Sequence, residues 1–176
     1  MVKAILVGLL CMVSVQALAA PSASGLFSAI AQRLSYMEDV GLYKANHNLP
    51  IEDIAREEVV ISKASESAAE VGLDSQSVKG FFRAQISAAK AIQYRYRADL
   101  LNTPTNREPR DLKTVVRPAL ITLGEQINQE VLAYLNAGGQ LSEKDWNAFS
   151  QTLELKYLSE ADKRALFDAL SAISLK

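Results

Sequence analysis

The stretch LPIEDIAREEVVISKASESAAEVG, Leu49 to Gly72, decides the fold class. Pro50 stands where a helix tolerates proline, at its start. Gly72 stands where a helix ends in a left-handed cap. Between them the apolar residues recur at helical spacing, without the alternation of a strand. At about 100° per residue, Ile54, Ile61, Ala64 and Ala68 form one stripe, and Asp53 and Glu57 point the same way. Acids in a first turn favour the helix macrodipole, which would account for Asp53. Glu57 lies deeper, and burying an unpaired charge is costly. The spacing therefore predicts a helix over 51–71 whose inward face carries two carboxylates.

Outward from this helix the chain reads the same way. A helix over 24–37 precedes it, followed by a short irregular or helical piece over 40–46. Asp74-Ser75 caps a long helix over 76–101. Residues 102–110, with Pro104, Pro109 and several turn formers, make a linker. The next helix runs to Asn136 and stops at Gly138-Gly139. Pro118 implies either a start near Arg117 or a kink in a helix that began at Asp111. Ser142-x-x-Asp145 and Ser159-x-x-Asp162 open two shorter helices. The fold class is all-α, a helical bundle of about six helices with short connections.

The first residues belong to a different category. Met1-Val2-Lys3 is a basic start, Ala4 to Val15 is apolar and uncharged, and Ala17-Leu18-Ala19 is a small-x-small cleavage pattern. A spanning helix needs ~20 apolar residues, and this run is shorter. Residues 1–19 read as a cleaved signal peptide, cut after Ala19 or Ala20, of a periplasmic or secreted protein. Residues 20–176 then form a single all-helical domain, with 24–101 carrying most of the site and 111–176 completing the bundle.

Cleavage removes Cys11, the only cysteine, and with it any disulfide, thiol nucleophile or cysteine-based metal site. It also removes Lys3, one of 19 basic residues, so 18 face 20 acidic ones. That balance offers nothing to nucleic acid or, after signal cleavage, to an anionic membrane. The one histidine, His47, sits in Asn46-His47-Asn48, a solvated loop. A His-rich metal site is excluded, as is any Ser–His–Asp triad not built on His47.

Polar side chains recur where a core is expected. Gln85 and Gln93 lie inside the stripe of Val78, Phe82, Ala89, Ile92, Tyr96 and Leu100. Arg33 edges the stripe of Leu26, Ile30 and Met37, Arg117 flanks that of Leu120, Ile127 and Val131, and Arg56 lies on the flank of its own helix. Singly, a flank arginine snorkels to water. Together these groups imply a polar cavity inside the bundle, suited to a small polar ligand.

The runs RLSYMEDVGLYKANHNLPIEDIARE and VGLDSQSVKGFFRAQISAAKAIQYRYRADLL resemble the exported, AroQ-type helical chorismate mutases. The resemblance is strong over 26–101 and weaker beyond, through Asp111-Leu112 and Arg117. It implies an isomerase that converts chorismate to prephenate by a Claisen rearrangement, with no cofactor and no metal. By resemblance, Arg33 pairs with one substrate carboxylate and Arg117 clamps the other from the same chain. Lys44 donates to the ether oxygen and reaches a carboxylate, and Gln93 is the second donor to that oxygen. Asp53 and Glu57 lie near the ring hydroxyl, with Arg56 in the same motif. The catalytic pair is thus Lys44 and Gln93.

The family also implies a homodimer with one complete site per chain. Ala89 departs from the family, which often carries Ser or Thr there. Gln85 would substitute only by reaching the pocket. The competing reading is a non-catalytic periplasmic module that binds a small dicarboxylate. Such a module has no need to keep Lys44 and Gln93, because ground-state affinity requires only the carboxylate clamps.

Overall fold

Helix α1 (Ser24–Ser35) and helix α2 (Met37–Asn46) open a computed structural model that describes residues 21–176. The leader assigned to residues 1–19, its cleavage point and Cys11 lie outside the described residues. The sequence pattern predicts one helix to residue 37 and an uncertain piece after it. Instead, the two helices meet at Tyr36, whose ring lies 4.1 Å from the Arg110 guanidinium, and residues 40–46 are fully helical.

Helix α3 (Ile54–Val71) starts three residues later than the periodicity predicts. Asp53 is its N-cap: its Oδ1 accepts the Arg56 N–H at 3.1 Å, and its own N–H donates to Glu57 Oε1 at 3.4 Å. Ile51 is held outside the helix, 4% exposed, where its carbonyl accepts from Lys44 Nζ at 2.5 Å. A side-chain cap and a tertiary bond together outweigh helix propensity, which is a weak prior. Ile54 is consequently turned to solvent, 63% exposed, and the buried stripe begins only at Ile61. Gly72, at φ 101°, closes the helix in the left-handed conformation that glycine adopts without strain.

Helix α4 (Ser75–Asp99) is the spine, capped by Asp74, whose Oδ2 accepts from Ser77 N–H at 2.8 Å. It packs against α2, α3 and α7 (Glu160–Ser171), while α5 (Arg117–Asn136) packs against α1 and α3. Both readings of Pro118 contain part of the answer. A π-helical turn over Leu112–Val116, started by Asp111, leads directly into α5 at Arg117. The wider turn takes up a proline that has no N–H for the carbonyl of an ordinary turn.

Ser142 and Ser159 form the capping boxes expected of them, the first on a 3₁₀ turn (Glu143–Asp145) that leads into α6 (Trp146–Thr152). Phe149 joins this end of the bundle to both Phe27 and Phe167, with ring centroids 5.2 Å apart in each pair. The chain end is pinned by backbone bonds from Asp74 N–H to Ser174 O (2.9 Å) and from Lys176 N–H to Gly72 O (3.0 Å).

The linker over 102–110 is anchored by a group that helical phase does not single out. Asp39, 3% exposed in α2, accepts from the Arg107 and Arg110 guanidinium groups, which are themselves about half exposed. Burial alone would raise its carboxyl. The hydrogen bonds from Arg110 and Arg107 overcome that and hold it below the ordinary aspartate value. A carboxyl depressed in the folded state contributes stability above its unfolded pKa of ~3.9, and that contribution is lost as pH falls through this value and below. Removing both arginines strands a buried carboxylate and should cost about 3 kcal/mol or more. Asp39→Asn leaves both cations free to reach water and should cost only about 1–2 kcal/mol. Urea denaturation of the two variants at pH 7 checks this order.

Candidate active site

All seven residues picked out from the sequence line one cavity of about 300 Å³, enclosed by α1 to α5. Arg33 comes from the last turn of α1 and Lys44 from the last turn of α2. Asp53, Arg56 and Glu57 come from the start of α3, Gln93 from the C-terminal third of α4, and Arg117 from the first position of α5. No residue beyond Asn128 contributes to the lining. Gln85, although fully buried, does not line the cavity, so it does not replace the contact missing at Ala89. His47 stays outside and exposed, stacked on Tyr43 at 4.0 Å between ring centroids.

Arg33 is the most unusual group. It is 5% exposed, its Nε has no hydrogen-bond partner among the described residues, and its guanidinium sits 5.6 Å from the Phe82 ring centroid. Desolvation pushes its pKa down to about 10. An ionic group held this way, beside an open cavity, is a standing demand for an anion.

Lys44 has the same character in milder form. Desolvation lowers its pKa, Asp53 and Glu57 work against that, and Arg117 and Lys90 add to it. One ammonium hydrogen is spent on the Ile51 carbonyl, which leaves two for the cavity. Gln93, also 5% exposed, donates from Nε2 to Ala89 O at 3.1 Å and to Met37 Sδ at 3.7 Å. Thioether sulfur is a weak acceptor, so that second hydrogen is readily redirected.

Helical phase misplaces two of the acids and misses several neighbours. Asp53 is a solvent-exposed cap at the cavity edge, not a member of a buried stripe. Glu57 is partly buried and paired with Lys90, Nζ to Oε2 at 3.1 Å. Lys90, Lys63, Glu125 and Asn128 also line the cavity. Lys90 was legible in principle, three residues before Gln93 and so on nearly the same helix face. Asn128, 1% exposed with its Nδ2 on Ala64 O at 3.0 Å, carries no such signal. In total six cations face three carboxylates around the space.

An all-helical chain with a cationic, amide-bearing cavity, and an arginine buried there with no partner at Nε among the described residues, defines a binding site for a small anion. Residues 24–94 match the family described as Chorismate mutase type II. The chain is 40% identical over 153 residues to the monofunctional chorismate mutase of Enterobacter agglomerans, covering 86% of this chain and 83% of that one. It is also 40% identical over 148 residues to the secreted chorismate mutase of Yersinia pestis, covering 84% of this chain and 79% of that one. The crystal structure of the Yersinia pestis enzyme superposes with a TM-score of 0.80 at 39% identity, spanning 86% of this chain and 97% of that one. The chain therefore belongs to the type II chorismate mutase family.

Two consequences of the Arg33 environment are measurable. Replacing a buried cation that has no partner at Nε among the described residues by an apolar residue of similar length should stabilise the empty protein by about 1–3 kcal/mol while removing a positive charge from the cavity wall. Arg33→Met should thus melt higher than wild type and lose at least ~100-fold in kcat/KM, seen by calorimetry beside steady-state assays. Both Arg33 and Lys44 lose their charge at lower pH than they would in water. The alkaline limb of kcat/KM should accordingly fall as pH rises toward 10.

Proposed function

We propose that the enzyme folds chorismate within this cavity and converts it to prephenate with the seven lining residues in the following roles. The substrate is a dicarboxylate, and Arg33 and Arg117 each clamp one carboxylate. Lys44 and Gln93 direct their donors to the ether oxygen. Asp53 and Glu57 face the ring hydroxyl, with Arg56 beside them. The observation that carries this reading is the buried Arg33, unpartnered at Nε among the described residues, on the same cavity as Lys44, Gln93 and Arg117.

The rearrangement is intramolecular and pericyclic, so no nucleophile or general base is needed. The protein holds the side chain over the ring in a chair-like near-attack geometry, which two arginine–carboxylate pairs are suited to enforce. As the carbon–oxygen bond breaks and the new carbon–carbon bond forms, negative charge grows on the ether oxygen. Donors fixed at that oxygen then stabilise the transition state more than the bound substrate. Lys44 supplies a full charge there. Gln93 gives up its weak bond to Met37 Sδ and supplies a neutral amide hydrogen at any working pH.

The enzyme is an exported one, periplasmic or secreted, in keeping with a relative named as secreted. Cleavage of a leader after Ala19 or Ala20, a single domain over 20–176, and a homodimer with one complete site per chain complete the proposal. The dimer is supported by the family likeness, and light scattering of the purified mature chain tests it.

The central test follows loss of chorismate absorbance with the purified protein. Wild type should accelerate the reaction, and Lys44→Ala should lower kcat by about 10²–10³-fold. No acceleration by wild type would overturn the assignment, and full activity in Lys44→Ala would overturn the mechanism. Gln93→Glu should keep activity only at acid pH, since a glutamate donates only when protonated, near or below pH ~4–5. Wild type should show no such acid requirement.

A further inference from the structure

Glu57 is the one acid of the cavity whose two oxygens are both engaged. Oε1 accepts the Asp53 backbone N–H at 3.4 Å, and Oε2 accepts from Lys90 Nζ at 3.1 Å. Lys90 projects from α4, one turn before Gln93, and also reaches Glu52 Oε1 at 3.4 Å. Its side chain is partly buried and lines the cavity, and its pKa is raised above the ordinary lysine value by its bond to Glu57 and by the charges of Glu57 and Glu52. Its neighbour Ala89 offers the cavity only a methyl group. The α4 wall therefore presents one charge at this end, and that charge already faces two carboxylates, Glu57 in the first turn of α3 and Glu52 just ahead of it.

We propose that Lys90 is a positioning residue for substrate recognition: its Glu57 ion pair bridges α4 to the start of α3 and aims the Glu57 carboxylate at the hydroxyl-bearing end of the cavity. The inference rests on the reading of Glu57 as the group that faces the ring hydroxyl. A carboxylate on a free side chain would point into solvent at the cavity mouth as readily as inward. Two bonds from different elements restrict it to one orientation, with lone pairs left over for a hydroxyl donor. The bridge also ties the first turn of α3 to the helix that carries Gln93, so both ends of the substrate are measured from the same element. Because a ring hydroxyl changes little in the transition state, the contact should act on binding more than on the chemical step.

The experiment is steady-state kinetics on Lys90→Gln, Lys90→Arg, Glu57→Gln and the double variant Lys90→Gln/Glu57→Gln, with thermal melts to confirm folding. Lys90→Gln should raise KM by roughly tenfold, the size of one charge-assisted hydrogen bond, with kcat within about threefold of wild type. Lys90→Arg should restore most of the loss. In the Glu57→Gln background, Lys90→Gln should add less than about twofold, because the two residues act as a unit. Full additivity would overturn the proposal by placing Lys90 on the substrate directly. A loss confined to kcat, or no loss in Lys90→Gln while Glu57→Gln is impaired, would also overturn it. An unimpaired Glu57→Gln in an otherwise active enzyme would instead remove the underlying role of Glu57.

Discussion

Placing a guanidinium inside a helical bundle is the constraint around which this molecule is arranged. Arg33 is buried on the inward face of α1 against Phe82 of α4, and its Nε has no acceptor among the described residues. In a well-packed interior an unpaired cation costs several kcal/mol, and evolution of stability alone would replace it with Met or Leu. In the proposed function, the ligand of the adjoining cavity supplies the missing anion and so offsets this cost. Burial by itself disfavours the charged form and lowers the pKa of Arg33.

The rest of the bundle keeps this space open. Helix α4 supplies the rigid wall, with its own Phe82 fully buried against Arg33 and Gln93 also on the cavity lining. The break at Tyr36 turns α2 so that Lys44 points back over the cavity. Asp39 holds the linker over 102–110 on α2 through two arginines, and the π turn at Leu112–Val116 delivers Arg117 at the first position of α5. Each of these elements spends local regularity, as a kink, a wide turn or a buried carboxylate, to orient one charged group. Irregularity concentrated in this way is expected where binding, not packing, sets the geometry.

Electrostatics explain why the site needs six cations for a substrate with two carboxylates. Asp53, Glu57 and Glu125 neutralise part of the field and leave a surplus that suits a dianion. Lys44 experiences both signs at once: Asp53 and Glu57 favour its charge, Arg117 and Lys90 oppose it. Binding a carboxylate would relieve the opposition, so Lys44, the proposed donor to the ether oxygen, should become more firmly charged as substrate arrives. Cation placement and substrate charge are therefore parts of one balance.

The sequence alone determined the helical class, most helix ends and the residue types that meet in the cavity. Gly72, Asp74, Ser142 and Ser159 are local signals, set by backbone chemistry that acts within a few residues, whereas Pro50 marked a start that the chain does not use. Periodicity also carried Arg33, Gln93 and Arg117 to the right faces, because helical phase accumulates little error over one or two turns. Only the tertiary structure decided the rest. Ile54 is exposed and Asp53 is a cap because Lys44, seven residues before Ile51, holds the Ile51 carbonyl outside the helix. Asp39 is buried and paired with arginines 68 and 71 residues further along. The bond between Glu57 and Lys90 spans 33 residues and two helices. The partners of Asp39 and Glu57 are chosen by packing and charge across the bundle, beyond the reach of any helical-phase window.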